Sequence, residues 1–308
     1  MAGVVQGVEG KEGVNLVSKF GELDVLLGAD HSQLEIRVLA QMSKDKLLIQ
    51  LLQSGEDIHS SVGHELLHKP VRAIRKDRPL RTAIKGLHFG IIYGLSDLSL
   101  YYHMKAEVEQ LSEEFTMTPE EVAALKKNYF RRFSGVAEYI ENQHQFGEKN
   151  GFVETLFGFK REIAIAGDEQ RDTFWKNQAV NSPIQGTAHQ LMLIAMAIIR
   201  LRKKTYDLLQ RPSMEVHDSL YIFTLLKQLQ EAYKQFNYLM EKEVLAYVKK
   251  WWPEVDWVVP LQSESKAGFR LGVMVEYRGE PPGQFIDMWC EKNQQFQKRL
   301  KAQLSEVV

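Results

Sequence analysis

Apolar positions fall into two spacings along the chain, and each predicts a different kind of element. Leu23-Asp-Val-Leu-Leu-Gly-Ala-Asp30 is a short apolar run ending in a carboxylate, which predicts a buried strand with Asp30 at its tip. From Gln33 to Gln41 the spacing becomes helical, with Leu34 and Val38 facing inward and Glu35 just behind the strand-to-helix junction. Asp57-Ile-His59 opens another helix with Asp57 as its cap. A helix is predicted from about Ala73 to Tyr93, closed by Gly94. Ile84, Leu87 and Ile91 form its buried side, while Arg81, Lys85 and Phe89 recur every fourth residue, drifting about 40° per step, along the other.

Thr118-Pro-Glu-Glu121 is a capping box launching a long helix toward Gln145. Val153 to Arg161 reads as a hairpin turning at Gly158, and Pro183 and Gly186 precede an apolar helix from Leu191 to Leu201. Alternation on both sides of His217-Asp218, from Ser213 to Phe223, predicts two antiparallel strands whose tight turn displays Asp218. A helix from about Lys227 to Lys250 carries Tyr233, Phe236, Met240, Val244 and Val248 on one stripe. Leu271 to Tyr277 reads as a strand and Phe285 to Leu304 as an amphipathic helix, its apolar stripe expected to pack on its own domain. Residues 1–22 show little pattern and read as loop.

Composition narrows the class. A chain of 308 residues, 44% hydrophobic and 26% charged, buries a large core as one or two domains. It contains no unbroken run of 18 apolar residues, and the N-terminus lacks a signal-peptide layout. The lone Cys290 excludes an internal disulfide and fits a reducing, cytoplasmic compartment, and no Cys/His spacing suggests zinc. With a net charge of −1, any nucleic-acid chemistry requires locally concentrated positive charge. Lys69, Arg72, Arg75, Lys76, Arg78, Arg81 and Lys85 supply it, with only Asp77 set against them in the same stretch. Such a surface suits a polyanion bearing a flat group, phosphates for the cations and a base for Phe89. Two carboxylates at strand ends, Asp30 and Asp218, complete the inventory for two-metal phosphoryl transfer. By themselves these residues leave open a solvated basic helix and two unrelated aspartates.

Asp30-His-Ser-Gln-Leu-Glu-Ile-Arg37 resembles motif A of the family A (DNA polymerase I-like) polymerases. Arg81, Lys85, Phe89 and Tyr93-Gly94, each separated from the next by three intervening residues, resemble motif B, and Val216-His-Asp218 resembles motif C. Asp57-Ile-His59, Tyr129-Phe130, Gly135-Val136, Asn181 to Thr187 and Val259-Pro-Leu also match in the family's order, so the similarity runs from about residue 23 to 277. The resemblance implies an α+β, right-hand polymerase fold: a palm of antiparallel sheet with packed helices, and helical fingers. On that template the palm takes residues 23–60 and 151–280 and the fingers 61–150, flanked by an N-terminal remnant (1–22) and a C-terminal helix (281–308). The implied function is template-directed transfer of dNMP from dNTP to a primer 3′-OH, with primer-template DNA and dNTPs as partners. Two Mg2+ ions, with Mn2+ as substitute, would be held by Asp30, Asp218 and the His31 backbone carbonyl.

Carried over residue by residue, Arg81, Lys85 and His59 would contact the nucleotide's phosphates, with Lys85 also the proton donor to pyrophosphate. Gln33 joins the nucleotide contacts, Phe89 packs beside sugar and base, and Tyr93 takes the template side. Glu35 closes the space beside the 2′ carbon, so that a ribose hydroxyl clashes or strands a polar group. Asn181, Gln185 and His217 match the minor-groove contacts, and Arg161 the hairpin that touches the DNA backbone.

The chain departs from the pattern at three site positions. His31 replaces the usual tyrosine of motif A, and His88 replaces the asparagine common in motif B. Ser219 stands where glutamate usually follows His-Asp, which bears on metal affinity or rate and is also how related single-subunit RNA polymerases write motif C. With only 29 residues before Asp30, the thumb and exonuclease of family members are expected elsewhere, for example on a second chain. The alternatives at this point are an RNA- or primer-synthesising polymerase on the same scaffold, and a non-catalytic DNA-binding subunit.

Overall fold

The computed structural model describes residues 24–165, 169–209, 212–216 and 218–294. Residues 1–22, His217, and Phe296 and Leu300 of the C-terminal stripe therefore lie outside the described residues. In chain order β1 (Asp24–His31) leads into α1 (Leu34–Ser43), α2 (Lys46–Gln53), α3 (Ile58–Leu67), α4 (Val71–Lys76) and α5 (Arg78–Ile92). Then come α6 (Asp97–Glu109), α7 (Pro119–Arg132), α8 (Ser134–Asn150), the hairpin β2 (Phe152–Glu154) and β3 (Lys160–Glu162), and α9 (Glu169–Leu201). β4 (Pro212–Val216), β5 (Ser219–Leu225), α10 (Leu229–Tyr238), α11 (Val244–Trp251), β6 (Ser263–Gly268), β7 (Val275–Glu276) and α12 (Pro282–Lys292) complete the order.

The chain packs as two compact units, and residues 24–31, 195–243 and 263–294 make the first. Its sheet has five strands in the order β4-β5-β1-β6-β7. Central β1 pairs antiparallel with β5 and β6, setting Asp30 opposite Ser219 on one side and Glu264 on the other. Val25, Leu26, Leu27 and Ala29 are all buried, so the unbroken apolar run reports a strand covered on both faces. On α12, Phe285 packs on Phe269 and Tyr277, and Trp289 meets Phe269 edge-on at 5.0 Å. The described part of the C-terminal stripe, Phe285 and Trp289, thus packs on its own unit.

Residues 32–194 and 244–262 make the second unit. It is helical apart from the β2–β3 hairpin, whose turn residue Gly158 has φ +84°. Helix α5 buries Ile84, Leu87 and Ile91 among α3, α4 and α6, as its period requires. Gly94 ends that helix at φ +66°, and a Cβ there would lie 2.1 Å from Asn177 Oδ1.

Five elements depart from the sequence reading, each for a local reason. The helix expected from Ala73 breaks at Asp77, whose carboxylate accepts Leu80 N–H and starts α5 afresh. Pro79 enforces that break, because it has no N–H for a helix continuing from α4. The helix toward Gln145 breaks at Phe133, buried against Tyr129 at 4.6 Å, while Gly135 N donates to Asp45 (2.9 Å) and anchors the restart. Conversely, α9 begins long before Leu191 and runs through Pro183. One turn before the proline, Tyr139 Oη donates to the Val180 carbonyl at 3.3 Å. Between α10 and α11 a π-helical turn, Leu239–Glu243, rephases the apolar stripe so that Met240 and Val244 both stay buried. Leu271–Val273 forms a 3-10 turn instead of strand, with the Val273 carbonyl taken by Trp289 Nε1 (2.7 Å).

Within α9, Phe174–Leu201 is long and apolar enough by composition to cross a membrane, but half of its most apolar window is buried in the protein. A buried core helix meets the same criterion.

Candidate functional site

The first unit brings two of the expected residues together. Asp30 ends β1, Asp218 precedes β5, and the His31 N–H donates to the Asp218 carbonyl at 3.1 Å. The two carboxyl groups are hydrogen-bonded to each other, and Asp30 is raised to about 6, first by burial and then by Asp218. Ser219, opposite Asp30 in register, also hydrogen-bonds the Asp30 side chain, and Lys266 on β6 adds a favourable charge. Among the described residues, Asp30 Oδ1 is buried without a hydrogen-bond partner. A carboxyl that burial and a neighbouring Asp218 hold protonated, with one oxygen lone pair unsatisfied, fits a hard divalent cation that replaces the proton. Among the described residues no set of three or more His, Cys, Asp or Glu side chains is grouped to hold a metal. Two carboxylates completed by backbone and substrate oxygens is the mode that suits magnesium.

The second unit arranges the α5 face. Arg81 forks onto Asp57, Nε to Oδ2 at 2.9 Å and Nη2 to Oδ1 at 2.5 Å. Burial alone would raise the Asp57 carboxyl, but the bonds from Arg81 and Ser60 hold it well below the usual carboxylate range. Lys85 Nζ sits 5.7 Å from the centre of the Phe89 ring, and Phe89 stacks on Tyr93 at 6.1 Å and 29°. Tyr93 Oη donates to Glu35 Oε2 (3.3 Å), while Gln185 Nε2 donates to Glu35 Oε1 (3.3 Å). Burial, then Glu35, pushes the Tyr93 hydroxyl up to about 12, so it remains a donor. Motif A's glutamate, motif B's tyrosine and the Gln185 segment therefore form one hydrogen-bonded cluster. Asn181 lies one turn before Gln185 on α9, and Arg161 is exposed on β3.

His59, which the resemblance assigns to the nucleotide phosphates, lies inside a buried polar chain. It is fully buried, with Nε2 on Gln33 Oε1 (3.0 Å) and Nδ1 on His88 Nδ1 (3.3 Å). Burial first, then His88, pushes it down to about 2, so the ring is neutral. The basic cluster is also less one-sided than its sequence suggests, since Glu56 pairs with Arg75 and Asp57 with Arg81. Four contributors escaped the sequence reading: the Asp57 fork, the Ser219 hydroxyl, Lys266 and the His88 ring. Asp57 and Arg81 are 24 positions apart, and Lys266 lies on a distant strand, so only the fold joins them. Ser219 and His88 were visible as departures from family motifs, without a reason for either.

A sequence model of DNA polymerase family A matches residues 15–271. The DNA polymerase I of Caldicellulosiruptor bescii is 34% identical over 200 residues, covering 64% of this chain and 22% of that protein. The thermostable DNA polymerase I of Thermus thermophilus is 33% identical over 219 residues, covering 70% of this chain and 24% of that protein. The chain thus spans about a quarter of the length of these relatives. Among solved structures, the POL domain of Pol1 from M. smegmatis, in complex with DNA primer-template and dNTP, superposes with a TM-score of 0.67 at 27% identity. That match covers 82% of this chain and 40% of the other. The antiparallel sheet and helical unit thus have the palm-and-fingers fold of a polymerase, and the chain belongs to DNA polymerase family A.

Proposed function

We propose that this chain carries the nucleotidyl-transfer centre of a template-directed DNA polymerase, joining dNMP from dNTP to a primer 3′-OH and releasing pyrophosphate. The juxtaposition of Asp30 and Asp218 carries the reading, because two acidic side chains brought together at the ends of adjacent strands have a use when divalent cations bind. Asp30, Asp218 and the His31 carbonyl would hold Mg2+, with Mn2+ as substitute. The ions would supply Lewis-acid neutralisation of the triphosphate and a lowered pKa for the attacking hydroxyl. Arg81, held in its fork by Asp57, and Lys85 bind and orient the phosphates, and Lys85 protonates the departing pyrophosphate oxygen. Phe89 packs against sugar and base, and Tyr93 stacks beside it on the template side. Glu35, held by Tyr93 and Gln185, excludes the 2′-hydroxyl of a ribonucleotide. Asn181, Gln185 and His217 address the minor groove, and Arg161 the DNA backbone.

Primer extension with dNTPs and NTPs in parallel tests this. Mg2+-dependent extension, at least about a hundredfold weaker in Asp30→Asn and Asp218→Asn and favouring dNTPs, is expected. Extension unaffected by either substitution would refute the assignment, and a preference for NTPs would overturn the role of Glu35.

A further inference from the structure

Gln33, His59 and His88 form a buried polar chain whose direction can be read. Gln33 Oε1 only accepts, so the His59 Nε2 that meets it at 3.0 Å carries a proton. A neutral imidazole protonated there has a bare Nδ1, and that atom faces His88 Nδ1 at 3.3 Å. His88 must therefore donate from Nδ1. A second observation gives the same tautomer. Among the described residues the buried His88 Nε2 has no hydrogen-bond partner, so the one proton of the neutral ring sits on Nδ1, the nitrogen that meets His59. Both rings are fully buried, and the edge of Tyr129 fixes the plane of His88 at 5.5 Å and 89°.

We propose that His88 is a positioning residue for nucleotide binding: through the tautomer it imposes on His59, it holds the Gln33 side chain and the segment around it. That segment matters because it links His31 to Glu35. Gln33 itself sits at φ 57°, a backbone region that residues other than glycine hold only when neighbours impose it. The bond from His59 is one such constraint. The ligand named here rests on the polymerase reading; the proton order does not.

Long-range 1H–15N spectra of the His59 ring, with steady-state single-nucleotide incorporation, test the proposal on three proteins. The wild type is expected to show His59 protonated at Nε2 and bare at Nδ1. His88→Leu removes the donor, so His59 should lose that single tautomer and the KM for dNTP should rise about tenfold with little change in kcat. His88→Asn places a side-chain N–H on the atom bonded to Cγ, as in the imidazole, and should restore both readouts. Unchanged His59 shifts or an unchanged KM in His88→Leu would overturn the proposal, as would His88→Asn behaving like His88→Leu. Should His88→Leu fail to fold, His88→Gln, whose N–H lies one bond further out, takes its place against His88→Asn with the same expectations. A wild-type protein that incorporates no nucleotide sinks the polymerase reading, while the ring spectra still decide the proton order.

Discussion

Asp30 sets how the centre responds to pH. Its folded pKa of about 6 lies above the ordinary aspartate value of 3.8, so the folded chain holds this proton more tightly than the unfolded chain does. The stabilisation is complete below the unfolded value and is lost as pH rises through about 6, where a bare Asp30 carboxylate must be kept buried beside Asp218. In metal-free protein, then, thermal stability contributed by this group should fall between the two values, and Asp30→Asn should remove that component. Paired melts of the two proteins across this range, without and with Mg2+, measure it; identical profiles would mean that folding does not hold the Asp30 proton. On the proposed assignment, cation binding at this group competes with its proton. Mg2+-dependent extension should rise about tenfold per pH unit below that pKa and level off above it. Glu35 offers a second test at this scale. Glu35→Ala removes the acceptor of Tyr93 and Gln185 and opens the space they enclose, so discrimination against NTPs should drop by about 10- to 100-fold.

Among the elements, α5 was legible on the faces and illegible at the ends. A helical period places Ile84, Leu87 and Ile91 on one side and Arg81, Lys85, Phe89 and Tyr93 on the other, whatever surrounds them. Its start depended on reading Pro79 as a barrier and Asp77 as a cap, and the run of cations on both sides hid that punctuation. The break at Phe133 was illegible for another reason, since it answers to Asp45 far away in sequence. Likewise β1 and Asp30 were legible from a run of apolar residues, whereas the hydroxyl Ser219 offers Asp30 exists only in the β1–β5 register. Two substitutions check the account of α5. Asp77→Ala removes the cap that accepts Leu80 N–H and should cost about 1 kcal/mol. Gly94→Ala forces a Cβ onto a left-handed residue against Asn177 and should cost more than that. Denaturant melts rank the two, and a neutral Gly94→Ala would mean the helix end readjusts freely.

For the molecule as a whole, a net charge of −1 requires that any grip on DNA come from where cations stand, not from how many there are. Seven cations crowd residues 69 to 85 in the sequence. In the fold Glu56 and Asp57 take two of them, while Glu65 pairs with Arg132 and Asp97 with Lys126. Each paired cation releases fewer counterions when a phosphate approaches, so this segment should add less to the salt dependence than its composition suggests. Full engagement of seven would give a slope of about −6 in log K against log salt, whereas the four left once Arg75 and Arg81 are paired and Lys85 is assigned to the nucleotide would give about −3.6. The proposed division of labour sharpens the expectation, because Lys85 is assigned to the triphosphate and Arg161 to the duplex. Primer-template binding without nucleotide, measured by fluorescence anisotropy over a salt series, should therefore show an unchanged slope in Lys85→Ala. Arg161→Ala should lessen the slope by about one. Nucleotide affinity should respond in the opposite order, falling in Lys85→Ala and holding in Arg161→Ala. A Lys85→Ala protein that loses duplex salt dependence while keeping nucleotide affinity would move the cationic face of α5 from the nucleotide to the DNA. The assignments of Phe89 and Tyr93 along that face would then have to move with it.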